Sequence, residues 1–121
     1  MSKLEVSARM TIRKGKLEEF KRQAAECIRQ TKEKDTKTLR YDWFLSSDKT
    51  ECEIREVYES SDGLFEHRMH IGEALDKLFS EFADDHAVSV YGEASPQLVE
   101  MAKRMPQGSV KWYSFFKGLE S

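Results

Sequence analysis

The chain is short of the residues that staple or punctuate a fold. Its two cysteines, Cys27 and Cys52, are too few and too widely separated for a disulfide framework, so stability must come from an apolar core. Both read as buried thiols in a reducing compartment. Two prolines and six glycines in 121 residues leave no linker, repeat or low-complexity tract. No apolar run approaches the roughly 20 residues of a membrane span. The opening MSKLEVSARMTI lacks the apolar stretch of a secretory signal, which makes the cytoplasm the expected location. Excess charge of one sign is missing as well: the net charge is −2, and bulk electrostatics gives no reason to expect nucleic acid. There is no Gly-rich phosphate loop, G-x-S-x-G, C-x-x-C or dinucleotide fingerprint. The usual motif-bearing cradles for nucleotides and flavins are therefore absent, and no cofactor is expected.

What remains is the balance of a single globular domain, 39% hydrophobic and 35% charged. Leu4, Val6, Ala8, Met10 and Ile12 alternate with polar residues, the period of a strand. After Gly15, a helical stripe runs through Leu17, Phe20, Ala24, Cys27, Ile28 and Thr31. Two alternating runs, 38–46 and 51–59, flank the polar turn 47–50 and predict a hairpin. Ser60, Ser61 and Asp62 open a second helix whose stripe holds Leu64, His67 or Arg68, and Ile71. Gly72 is expected to kink or interrupt it before Ala74, Leu75, Leu78, Phe79 and Phe82 resume the pattern. A strand over 86–93, a helix begun by Ser95-Pro96 and closed by Pro106 and Gly108, and an aromatic strand over 110–117 complete the chain. Basic residues outnumber acidic ones nine to five between Arg13 and Lys37, and acidic outnumber basic twelve to three between Glu51 and Glu93. Both read as solvated helix faces, the alternative being that the two segments meet within the fold or across a subunit contact.

The order β-α-β-β-α-β predicts an α+β ferredoxin-like sandwich over residues 1–94, with right-handed crossovers placing both helices on one sheet face. Residues 95–121 form a helix-strand extension of the same domain. Aromatic and apolar residues occur in both phases of the strands, Phe44, Val57 and Tyr113 against Trp43, Tyr58 and Trp112. Both sheet faces then need cover, and a second copy of the sheet is the simplest one, giving a homodimer.

Few side chains offer chemistry. His67 lies on or beside the buried stripe of the second helix, where a neutral imidazole can exchange protons near pH 7. His67-Arg68-Met69-His70 is H-x-x-H on one helix face, but it lacks the fixed third ligand a metal needs, so no metal is assigned. Large rings beneath helices suit a flat apolar ligand. Arg9, Arg40 and Arg55 are strand cations able to meet an anion or to form ion pairs.

Arg9-Met10-Thr11-Ile12, followed by Lys14-Gly15-Lys16-Leu17-Glu18-Glu19-Phe20, resembles the antibiotic biosynthesis monooxygenase family of dimeric α+β barrel proteins. A second stretch, Arg55-Glu56-Val57-Tyr58-Glu59-Ser60-Ser61-Asp62-Gly63-Leu64-Phe65-Glu66-His67, is similar to that family's passage from strand to helix. The resemblance spans residues 4–93. It implies a homodimer with a pocket between sheet and helices for a small aromatic compound. It further implies a monooxygenase that oxidises phenols or quinols without metal or flavin. His67 would be the base and Tyr58 a hydrogen-bonding wall, with Trp43, Trp112, Phe65 and Arg9 around the substrate. A non-catalytic small-molecule-binding or stress-associated protein is the alternative. Haem degradation is disfavoured, because Ala8 and Tyr58 stand where that branch carries Asn and Trp.

Overall fold

The computed structural model describes residues 3–104 and 110–120. The elements are β1 (Leu4–Ile12), α1 (Leu17–Lys34), β2 (Thr38–Leu45), β3 (Glu51–Tyr58), α2 (Ser61–Glu81), β4 (Ala83–Tyr91), α3 (Pro96–Ala102) and β5 (Val110–Tyr113). They build one mixed sheet of order β2-β3-β1-β4-β5. The first four strands are antiparallel, and β5 adds parallel to β4. This is the ferredoxin-like α+β arrangement with an added helix and edge strand.

Local chemistry explains the boundaries. Gly15, at φ +79°, makes the left-handed turn into α1. Ser60 caps α2 by accepting the Asp62 N–H at 3.3 Å, and Ser95 caps α3 by accepting the Leu98 N–H at 3.2 Å. Within α1, Arg29 pairs with both Glu26 and Glu33. Helix α2 runs through Gly72 without the expected interruption. A Cβ there would meet nothing within 4 Å, so that glycine marks an open position on the helix.

Strand β4 begins three residues earlier than its alternation predicts. Arg9 pairs with Ala87 while Thr11 pairs with Asp84, so β4 carries one extra residue, and Asp85 adopts φ +58° at the bulge. The bulge switches the phase of the strand, placing Ala83 in the core and still turning His86 to the helix side. The final strand stops at Tyr113 and does not reach residue 117. The expected helix-closing residues Pro106 and Gly108 lie outside the described residues.

The core lies between the sheet and α1 and α2. Ala8, Met10, Ile12, Phe20, Ile54 and Leu78 are among its buried members. Register assigns Tyr41, Trp43, Ile54, Glu56, Tyr58, Val88, Val90 and Trp112 to this side. The other face holds Ser7, Arg9, Asp42, Glu53, Arg55 and Ser89, with Phe44, Tyr91 and Tyr113 partly exposed around them. The expectation of two substantially apolar faces is corrected here. Val88 and Val90 share the inward phase with Trp112, so the outer face is a polar centre with an apolar margin. Ser7 donates to Glu53, while Arg9 donates to Ser7 at 3.1 Å and Ser89 at 3.3 Å.

Candidate active site

Between the sheet and α2 lies a cavity of about 60 Å³, more room than one water needs. Its floor includes Val6, Ala8, Tyr41, Ile54 and Glu56. His67 and Arg68 of α2 border it from the helix side. Leu98 and Met101 of α3, with Val110 and Trp112 of β5, close a further wall. The carboxy-terminal extension is thus part of the container, a role its sequence did not disclose. Most of the lining is apolar, so the few polar atoms that reach it act in a weakly screened environment.

His67 is held from behind. It is 2% exposed, and its Nδ1 lies 2.8 Å from Asp35 Oδ2. Asp35 follows the last turn of α1 and closes the helix with its own N–H on Thr31 O at 3.0 Å. Its carboxylate also receives the Thr38 hydroxyl at 2.6 Å and lies 2.6 Å from His70 Nδ1. The two histidines of the H-x-x-H pair therefore converge on one carboxylate. Burial pulls the His67 pKa below its ordinary value, partly opposed by Asp35. Burial acts upward on Asp35, but its hydrogen bonds from Thr38, His70 and His67 outweigh it and hold the carboxyl below the usual range. A neutral His67 donating Nδ1–H to an ionised Asp35 satisfies both directions. Nε2 then carries the free lone pair, and no hydrogen bond to it occurs among the described residues.

A carboxyl group lies on the other side. Glu56, 8% exposed, is an inward residue of β3 opposite Tyr41 in β2. It accepts the Tyr58 hydroxyl on Oε1. Burial pushes its pKa up to about 7, against the opposing influence of that hydrogen bond and of Arg68. Burial also raises both Tyr41 and Tyr58 well above ordinary phenols. The cavity thus brings together a carboxyl group whose burial favours its protonated form and an imidazole whose burial favours its neutral form.

The sequence-derived residues divide sharply. His67 and Trp112 line the cavity. Tyr58 is fully buried with its ring 5.5 Å from His67, and its hydroxyl is committed to Glu56. Trp43 stands behind the lining, edge-on to Tyr41 at 5.8 Å and Phe20 at 6.1 Å. Phe65 packs against the cluster of Leu4, Val6 and Tyr58 without bordering the space. Arg9 is on the opposite sheet face, bonded to serines, because its odd phase in β1 points away from the helices. Sequence reasoning passed over Glu56 and Asp35. The first had a signal, a carboxylate in the inward phase of Cys52, Ile54 and Tyr58. Asp35 had none, since only packing of α1 on α2 brings it to His67.

No protein family's sequence profile matches the chain, and no curated protein matches it. Solved structures do. MupZ from Pseudomonas fluorescens superposes with a TM-score of 0.80 at 21% identity, covering 98% of this chain and 94% of that one. Rv0793 from Mycobacterium tuberculosis gives 0.67 at 24% identity, covering 78% of this chain and 97% of its own. A structure named antibiotic biosynthesis monooxygenase gives 0.66 at 19% identity, covering 77% and 99%. Among the described residues no helix is long and apolar enough to cross a membrane. At these identities the likeness is one of architecture, and the chain has the ferredoxin-like fold of the antibiotic biosynthesis monooxygenase structures.

Proposed function

We propose that the protein is a cofactor-independent monooxygenase that oxidises a small aromatic or quinol-type compound in the cavity beneath α2. The observation that carries this reading is the free Nε2 of a buried His67 whose Nδ1 is fixed by Asp35, at the edge of an apolar space. A base so placed removes a proton from a phenol or from an activated ring carbon. The resulting anion passes an electron to O₂, and the two radicals join through a new C–O bond. Loss of water from the hydroperoxide leaves a carbonyl. For a ring methylene the sum is CH₂ + O₂ → C=O + H₂O, with the substrate as sole reductant. The protein supplies the base, exclusion of bulk water and the wall formed by Trp112 and α3.

Oxygen uptake with a panel of hydroquinones and anthrones tests the reading. The wild type should consume O₂ with product formation, and His67→Ala should reduce the rate roughly 10²–10⁴-fold. Equal rates in the two proteins, or substrates recovered unchanged, would overturn it; an unchanged ligand that raises the melting temperature instead marks a binding protein. The reading includes a homodimer joined through the outer sheet face, supported by the exposed margin of Phe44, Tyr91 and Tyr113. Sedimentation velocity should show two subunits, and a monomer at micromolar concentration would count against that part.

A further inference from the structure

We propose that Glu56 is a second catalytic residue of this cavity. It acts as a carboxylic acid that hands its proton to a substrate carbonyl oxygen while His67 Nε2 removes a proton from the conjugated carbon. This deepens the reading above and rests on His67 as the base.

The geometry begins with the strand. Glu56 and Tyr58 are both inward residues of β3, and the tyrosine hydroxyl occupies Oε1. No partner bonds Oε2 among the described residues, and that oxygen is not among their fully buried unsatisfied atoms. Glu56 also lines the cavity, so Oε2 is the oxygen available to a ligand. The acid comes from the sheet and the base from α2, and both border the same cavity. The ionisable neighbours do not cancel this arrangement. Tyr58 on β3 and Tyr41 on β2 are held neutral by burial. His67 on α2 and His86 on β4 are both pushed toward the neutral form by burial. Arg68 on α2 is the nearby cation and favours the carboxylate, but burial of Glu56 outweighs it. The linings from β1, α3 and β5, namely Val6, Leu98 and Trp112, bring no charge.

The step balances without an oxidant. His67 takes a proton from the ring carbon, the C–H electron pair moves through the conjugated system to the carbonyl oxygen, and Glu56 protonates that oxygen. Ketone becomes enol, leaving His67 protonated and Glu56 ionised; reversal restores both. In the full reaction the enol or its anion is the species that meets O₂.

Anaerobic hydrogen exchange isolates this step. Anthrone and the smaller 2-tetralone are incubated with the protein in D₂O without oxygen, and deuterium at the acidic carbon is followed by proton NMR. The wild type should accelerate exchange of at least one probe, and Glu56→Gln and His67→Ala should each slow it roughly 10²–10⁴-fold. Glutamine keeps the acceptor for Tyr58, and its melting curve verifies the fold. Infrared difference spectra of the free protein supply a second readout. A protonated-carboxyl stretch should disappear as pH rises through about 7 and be missing from Glu56→Gln. Exchange unaffected by Glu56→Gln, no exchange above buffer with either probe, or no such band would each overturn the proposal. Oxygen uptake that survives Glu56→Gln would leave the oxygenase reading standing without it. Anaerobic exchange in a protein that consumes no O₂ would do the reverse.

Discussion

Replacing Asp35 by alanine should be the most damaging single change at the site. It should lower stability by about 3–5 kcal/mol and slow oxygen uptake roughly 10³-fold or more. Asp35 is the shared acceptor for Thr38, His67 and His70, its side chain is 2% exposed, and each such charge-assisted bond is worth more than a neutral one. Without it, His67 loses the partner that fixes which ring nitrogen bears the proton, and Nδ1–H is left with only the Thr31 hydroxyl at 3.5 Å. Burial would then act on the imidazole unopposed, moving its pKa lower still. Chemical denaturation, oxygen-uptake rates and nitrogen NMR of the imidazole check the three effects. A variant with native stability and an unchanged His67 tautomer would show that Asp35 is not the anchor described here.

The second large effect concerns pH. In the unfolded chain Glu56 ionises near its ordinary 4.5, whereas in the fold it holds its proton to about 7. Between these values the unfolded state gives up a proton that the folded state retains, so rising pH favours unfolding. The stabilising contribution is complete below 4.5 and lost once pH passes 7. The span corresponds to about 3 kcal/mol. Glu56→Gln abolishes that slope while keeping shape and the Tyr58 bond. The variant should match the wild type at pH 4 and melt roughly 10 °C higher at pH 8. Parallel melting curves for the two proteins across that range would refute the buried-acid assignment. Stabilisation together with loss of hydrogen exchange is what a group retained for chemistry should show.

His67 contributes with the opposite sign. Its folded pKa lies below the ordinary value, so its contribution to stability is present above about 6.5 and declines as pH falls through the folded value. His86, stacked on Phe79 at 4.0 Å and pushed down to about 4 by burial, behaves in the same way.

Legibility varied from element to element for identifiable reasons. In β1 the five alternating apolar residues are all buried, because a central strand has neighbours on both edges and a core on one face. Ser60 and Ser95 could be read as caps because a cap acts within its own turn. The phases of β2, β4 and β5 were harder. Aromatic residues occur in both phases of β2 and β5, and the bulge at Asp85 shifts β4 by one residue. The odd phase of Arg9 was nonetheless visible, and it removes that residue from the cavity. His67 was legible from helical spacing, while its anchor was not, since Asp35 is 32 residues away in sequence.

By itself the sequence determined the strand and helix order, the lack of the usual cofactor-binding motifs and the candidacy of one imidazole. All of these depend on periodicity and on residues acting within a turn or two. Only the tertiary structure decided that the histidine backs onto Asp35, that Glu56 faces the same space, and that α3 and β5 enclose it. Those are relations between distant segments, and burial, the cause of every large pKa shift at the site, exists only once the segments have packed.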